Sequence, residues 1–97
     1  MIHIVFSIYD AKAQAYLPPF FMHSEAVAVR AFSDGINDKE HAFGRHPSDY
    51  TLFNIGNFDD ATGKIEPATP IAVASGHTLV EQPTSQGNQV DIEEMTK

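Results

Sequence analysis

Five histidines, a pair of adjacent acids and a scatter of tyrosines are the residues in this sequence whose types could do chemistry. His41 and His46 lie five positions apart. That is neither the spacing of two ligands on one helix face nor that of a close loop pair. His3, His23 and His77 fall on separate predicted elements, so surface or structural histidines are the better reading and no metal is expected. Asp59, Asp60 and Gly63 look superficially like a calcium loop, but the alternating oxygens and closing glutamate of an EF-hand are missing. The same acids sit at an exposed turn, a poor setting for acid–base work. Gly56 and Gly63 are isolated, so no glycine-rich phosphate loop exists, and no nucleophile elbow surrounds any serine. The chain offers no catalytic constellation. It reads as a protein that is not an enzyme and needs no cofactor.

Binding chemistry is better represented. Tyr9, Tyr16 and His3 share the predicted outer face of a first hairpin, and Tyr50 or Phe53 can add aromatic surface from a later strand. Aromatic rings on an open sheet face stack unpaired bases, each stack contributing about 1–3 kcal/mol. The alternative is that these rings pack against a second subunit or against the chain's own long connection. Lys12, Lys39, Arg45 and His46 are candidates for phosphate contacts, although Asp38, Glu40 and Asp49 interleave with the last three as in an ordinary solvated loop. The candidate nucleic-acid-binding set is thus Tyr9, Lys12, Tyr16, Lys39, Arg45 and His46.

Composition bounds what these residues can be part of. The 97 residues suffice for one domain, and 42% apolar content with 7 Phe and 3 Tyr supports a modest core. No apolar run reaches the roughly 18 residues of a transmembrane helix. The first residues lack the basic region and cleavage site of a secretory signal and read instead as a strand. With no cysteine there is no disulfide framework, thiolate zinc site or thiol nucleophile, which fits a reducing cytoplasm. The formal net charge is −7. Residues 1–80 hold five basic groups against nine acidic ones, and the last seventeen residues add four acids against Lys97. Such a balance argues against nonspecific polyanion binding, which needs clustered Lys and Arg.

The elements that must position the candidates can be read from periodicity. Ile2, Ile4, Phe6 and Ile8 alternate with His3, Val5, Ser7 and Tyr9, a strand pattern. A turn at Asp10–Ala13 leads to a second strand over 14–21, with Tyr9 opposite Gln14 and Phe6 opposite Leu17. Pro18-Pro19 places that strand at an edge or an end. Ser24 caps a helix from Glu25 to about Asn37 whose Val29, Phe32 and Ile36 form one face. A polar connection over 37–49 is long enough to be functional or mobile. Strand three, Tyr50 to Phe58, carries Tyr50, Leu52 and Phe58 on one face and Phe53 and Ile55 on the other, so it asks for cover on both sides. Asp59–Lys64 is a turn whose Gly63 suits a positive φ. The return is expected to be interrupted by Pro67 and Pro70, leaving a short strand over 71–74. The expected fold is therefore α+β: a small antiparallel sheet of about four strands in the order β-β-α-β-β, with one helix on one face. Residues 1–80 form the domain and 81–97 an acidic, disordered tail.

The succession "YLPPF", "SEAVAVRAF" and "HPSDYTLFNIGNFDDATGKI" resembles a family of small non-structural proteins of microviruses, tailless single-stranded-DNA phages, of the gokushovirus type. The likeness covers roughly residues 2–75. Its most specific part is the proline-acid-tyrosine entry, followed by Leu52-Phe53-x-Ile55-Gly56-x-Phe58-Asp59 and the Gly63 turn. The resemblance implies a DNA-binding role in viral DNA synthesis, favouring the switch from duplex replication to single-strand production and packaging. It implies a host bacterial cytoplasm and no catalytic residues, and it carries no set of binding residues over. Single-stranded DNA and further copies of the chain are the expected partners, without membrane contact. The alternative is an adaptor or scaffold-like factor that touches phage replication or procapsid proteins and no DNA.

Overall fold

A computed structural model describes residues 1–81. Strand β1 (Ile2–Asp10) is the hub of the sheet. It pairs with β2 (Ala15–Tyr16) and β3 (Phe20–Met22) along one side and with β4 (Tyr50–Asp59) along the other, all antiparallel. Strand β5 (Lys64–Ser75) pairs with β4 and forms the far edge, giving the order β2-β1-β4-β5 with β3 following β2 along β1. The expected α+β architecture is what the chain adopts.

Helix α1 (Glu25–Ile36) begins where Ser24 turns extended and its Oγ accepts the Val27 amide at 3.3 Å. Its buried line is Ala28, Phe32 and Ile36, a stripe at i, i+4 and i+8, with Val29 at its flank. That stripe lies on the sheet face carrying Phe6, Ile8, Tyr50 and Leu52, and these residues together are the core. Phe6 and Leu52 are fully buried, each burial contributing about 2 kcal/mol. Asn37 closes the helix and also fastens the end of the described chain: its Nδ2 donates to the Leu79 carbonyl at 3.0 Å and its Oδ1 accepts the Glu81 amide at 2.8 Å.

Five expectations need correction. The first hairpin is wider than read, with Tyr9 opposite Tyr16 and Asp10 opposite Ala15, because Gln14 takes a positive φ of 56° and lengthens the turn. The second strand is two short pieces, since Pro18-Pro19 cannot donate to the ladder. The return strand is one continuous β5 through Pro67 and Pro70, but its pairing with β4 does break between them, passing from Pro67 directly to Ile71. As the sheet edge β5 also has one side free of partners, where a missing N–H costs no ladder bond. The helix over 25–36 has short companions, α2 (Ala42–Arg45), a 3-10 turn (Pro47–Asp49) and α3 (Gly76–Leu79). The fifth concerns strand three. Val5 pairs with Gly56 but Phe6 pairs with Asn54, so Ile55 is an extra residue in β4. This bulge moves Phe58 off the face of Tyr50 and Leu52 and onto the opposite one. The expected acidic tail lies, from residue 82 onward, outside the described residues.

Candidate functional site

The face of the sheet away from α1 can be read row by row from the pairing. Tyr16, Tyr9, Thr51 and Ser75 make one row, and Ser7, Phe53 and Ala72 the next. Phe21, Val5, Gly56 and Pro67 follow, then His3, Phe58 and Ile65. His23, one residue past β3, stacks on His3 with ring centroids 4.7 Å apart. Asp, Glu, Lys and Arg occupy none of these positions. The charged strand residues Asp10, Asp59, Lys64 and Glu66 all fall in rows of the helical face. In a chain of net charge −7, one sheet face carries only aromatic, aliphatic and neutral polar groups, with His3 its single titratable strand residue besides tyrosine.

Two groups of rings stand on this face. At one end Tyr9 and Tyr16 lie 4.9 Å apart, and Phe53 meets Tyr16 edge-on at 5.5 Å and Tyr9 at 6.4 Å. Tyr16 is 46% exposed. At the other end Phe21 meets Phe58 edge-on at 5.4 Å, and Phe58 lies 5.9 Å from His3. Phe21 is 44% exposed. Val5 and Ser7 are buried beneath these rings. The rings therefore roof a thin second layer and still turn much of their own surface outward.

Hydrogen bonds at the two breaks in the pairing along β1 hold this arrangement. Opposite Ser7 the chain spends two residues, Pro18 and Pro19, between the β2 and β3 registers. There Ser7 Oγ donates to the Leu17 carbonyl at 2.7 Å while the Leu17 amide donates to Ile8 O at 2.8 Å. Among the described residues Ser7 is the one buried polar group, and it is satisfied. At the β4 bulge Asn54 Oδ1 accepts the Gly56 amide at 3.1 Å. Gly56 has a φ of 156°, and a Cβ there would run into the Glu66 carbonyl oxygen.

The far end of the face closes on a small polar cluster. Asp60 accepts from the Met1 amine at 2.8 Å and bonds His3 Nε2 at 2.9 Å. The amine's hydrogen bond, and then that of His3, hold the Asp60 carboxyl below the usual carboxylate range, while Asp60 raises the amine in return.

The candidate residues divide between the two layers. Tyr9 and Tyr16 stand together on the uncharged face, joined by Phe53, and Lys12 lies in the turn that links their strands, where Asp10 Oδ1 holds its amide at 3.0 Å. Lys39, Arg45 and His46 belong to the connection on the helical side. Phe43, inside α2, packs there on Phe32 at 5.7 Å and Tyr50 at 4.6 Å. Arg45 is turned back onto the Glu40 carbonyl at 2.8 Å, and Lys39 lines a groove of about 330 Å³ with Ile36, Pro47 and Val80. Tyr50 faces the core, and burial pushes its phenol up, with Asp10 and Asp49 adding to the shift. The tyrosine pair and the basic loop thus occupy opposite layers of the fold.

Phe21, Phe58 and His23 belong to this surface without being among the binding candidates of the sequence. The sequence held a partial signal for Phe58: an isolated glycine inside a strand points to a bulge or a close backbone approach, without fixing which residue is extra.

A family model described as Phage ORF5 protein matches residues 3–79. No curated protein and no solved structure matches the chain.

Proposed function

The chain belongs to the Phage ORF5 protein family, and from that premise we propose that it is a non-structural accessory protein of a microvirus-type phage. In this reading it binds unpaired viral DNA during single-strand synthesis and packaging, in the host bacterial cytoplasm. Its role is binding and not catalysis.

The observation that carries the reading is the Tyr9–Tyr16–Phe53 group, with Tyr16 half exposed, on a sheet face whose strand positions hold no carboxylate. Every nucleobase has a π-face, so such rings accept any unpaired base, whereas paired bases are already stacked within their duplex. An acidic chain could not hold a polyanion through its bulk charge. Keeping all strand carboxylates on the other face removes the repulsion where contact is made. One copy offers only one such face, and the proposal includes a homo-oligomer that sets several along one strand.

The same lack of charge favours a second reading, in which the face takes a phage replication or procapsid protein and no DNA. Titrating fluorescent single- and double-stranded DNA at two salt concentrations, with the solution mass measured alongside, separates the two. Single-strand binding with little duplex binding supports the first. A folded protein that binds neither at low salt sinks it and favours the adaptor.

A further inference from the structure

We infer that the Phe21–Phe58–His3–His23 group is a second base-stacking platform, which takes unpaired bases of the same strand that the Tyr9–Tyr16–Phe53 group engages. The inference rests on reading the uncharged face as a surface for single strands, and adds to it a site and a path.

The two platforms share one face and one strand. His3 and Tyr9 both project from β1 to the side away from α1, six residues apart, which is about 20 Å at ~3.3 Å per residue. Between them lie Ser7 and Val5, both buried, with Phe53 beside Ser7, so no charge interrupts the path. A strand with stacked spacing of ~3.4 Å per nucleotide crosses that distance in about six steps.

The second platform exists only because of the bulge. Without the extra Ile55, Phe58 would point to the helical side with Leu52, and Phe21 would have no ring beside it. The protein retains a glycine at φ 156° and gives an asparagine side chain to its amide to hold that break. Core packing does not need it, since the core is built from Phe6, Ile8, Leu52 and Tyr50 on the other face. What the break accomplishes is to collect the rings on one surface. The occupant suits that surface: Phe21 and His23 are exposed rings, and the nearest carboxylate, Asp60, is engaged by the Met1 amine and His3. Bases stack on such rings without needing a cation.

The test compares oligothymidylates of about four and about twelve nucleotides, a range that spans the site sizes of single-strand binders. Phe21→Ala is expected to weaken the longer probe about ten-fold while leaving the shorter probe, held by the tyrosine platform, unchanged. Tyr16→Ala should weaken both. Asn54→Leu, which removes the acceptor for the Gly56 amide, should reproduce the Phe21→Ala pattern together with loss of the Phe21–Phe58 ring contact by NMR. If Phe21→Ala binds both probes like the unaltered protein while Tyr16→Ala does not, the second platform is refuted and the tyrosine site stands. If the unaltered protein binds neither probe, both readings fall. A solution mass that drops on Phe21→Ala would assign the platform to a second copy of the chain and overturn the inference.

Discussion

Phe21 and Phe58 meet edge to face with ring centroids 5.4 Å apart, and they do so because β4 contains one residue more than β1 across the step from Val5 to Phe6. The contact joins β3 to β4 over the top of Val5, which it leaves 4% exposed. A single inserted residue thus changes the character of a whole sheet face.

The bulge should be sensitive to a single methyl group. Gly56→Ala places a Cβ against the Glu66 carbonyl at a backbone φ that L-residues avoid. A loss of about 1–3 kcal/mol is expected, read as a lower midpoint in urea. An unchanged midpoint would mean that β5 shifts freely to make room.

Position relative to α1, more than apolarity, should decide what the core tolerates. Leu52→Ala, at a fully buried site, should cost about 2–5 kcal/mol. Ile71→Ala should stay within about 0.5 kcal/mol, because Ile71 sits on the edge strand and is 62% exposed. Equal losses would mean that β5 is covered in solution.

Single-strand binding should depend weakly on salt. The uncharged face releases few counterions, and Arg45 is on the other side of the sheet, turned onto the Glu40 carbonyl. Arg45→Ala should therefore leave both affinity and salt slope nearly as they were, whereas Tyr16→Ala lowers affinity at every salt concentration. A steep slope that Arg45→Ala flattens would put the DNA on the helical layer.

Asp60 predicts a pH dependence of definite sign. Its depressed carboxyl stabilises the fold fully above the ordinary aspartate value of about 4, and that contribution is lost as pH falls through the depressed one. The Met1 amine is raised, so its share is complete below about 8 and is lost as pH rises through the raised value. Thermal midpoints of the protein and of Asp60→Asn should differ most between those limits and converge outside them. The cluster is exposed, so the difference should be small. Parallel curves across the whole range would show that the contact contributes nothing.

Much of this protein was legible along the chain. The alternation of Ile2 to Tyr9, the Ser24 cap, Phe32 and Ile36 on the inner face of the helix (with Ala28 in the buried line where Val29 was expected) and the Gly63 turn, with its φ of 76°, are local matters: each depends on residues within a few positions of one another. Tyr9 and Tyr16 also came out on one face, although the register assumed for their hairpin was two residues short. What only the tertiary structure decided were the counts between strands. Whether Ile55 is a rung or a bulge depends on how β4 lies against β1, and whether Lys39 and Arg45 share a surface with Tyr16 depends on which side Phe43 docks. A side chain's face alternates with every residue, so one unpaired residue inverts everything beyond it. Periodicity within a strand carries no record of its partner's count, and that count is what placed Phe58 beside Phe21.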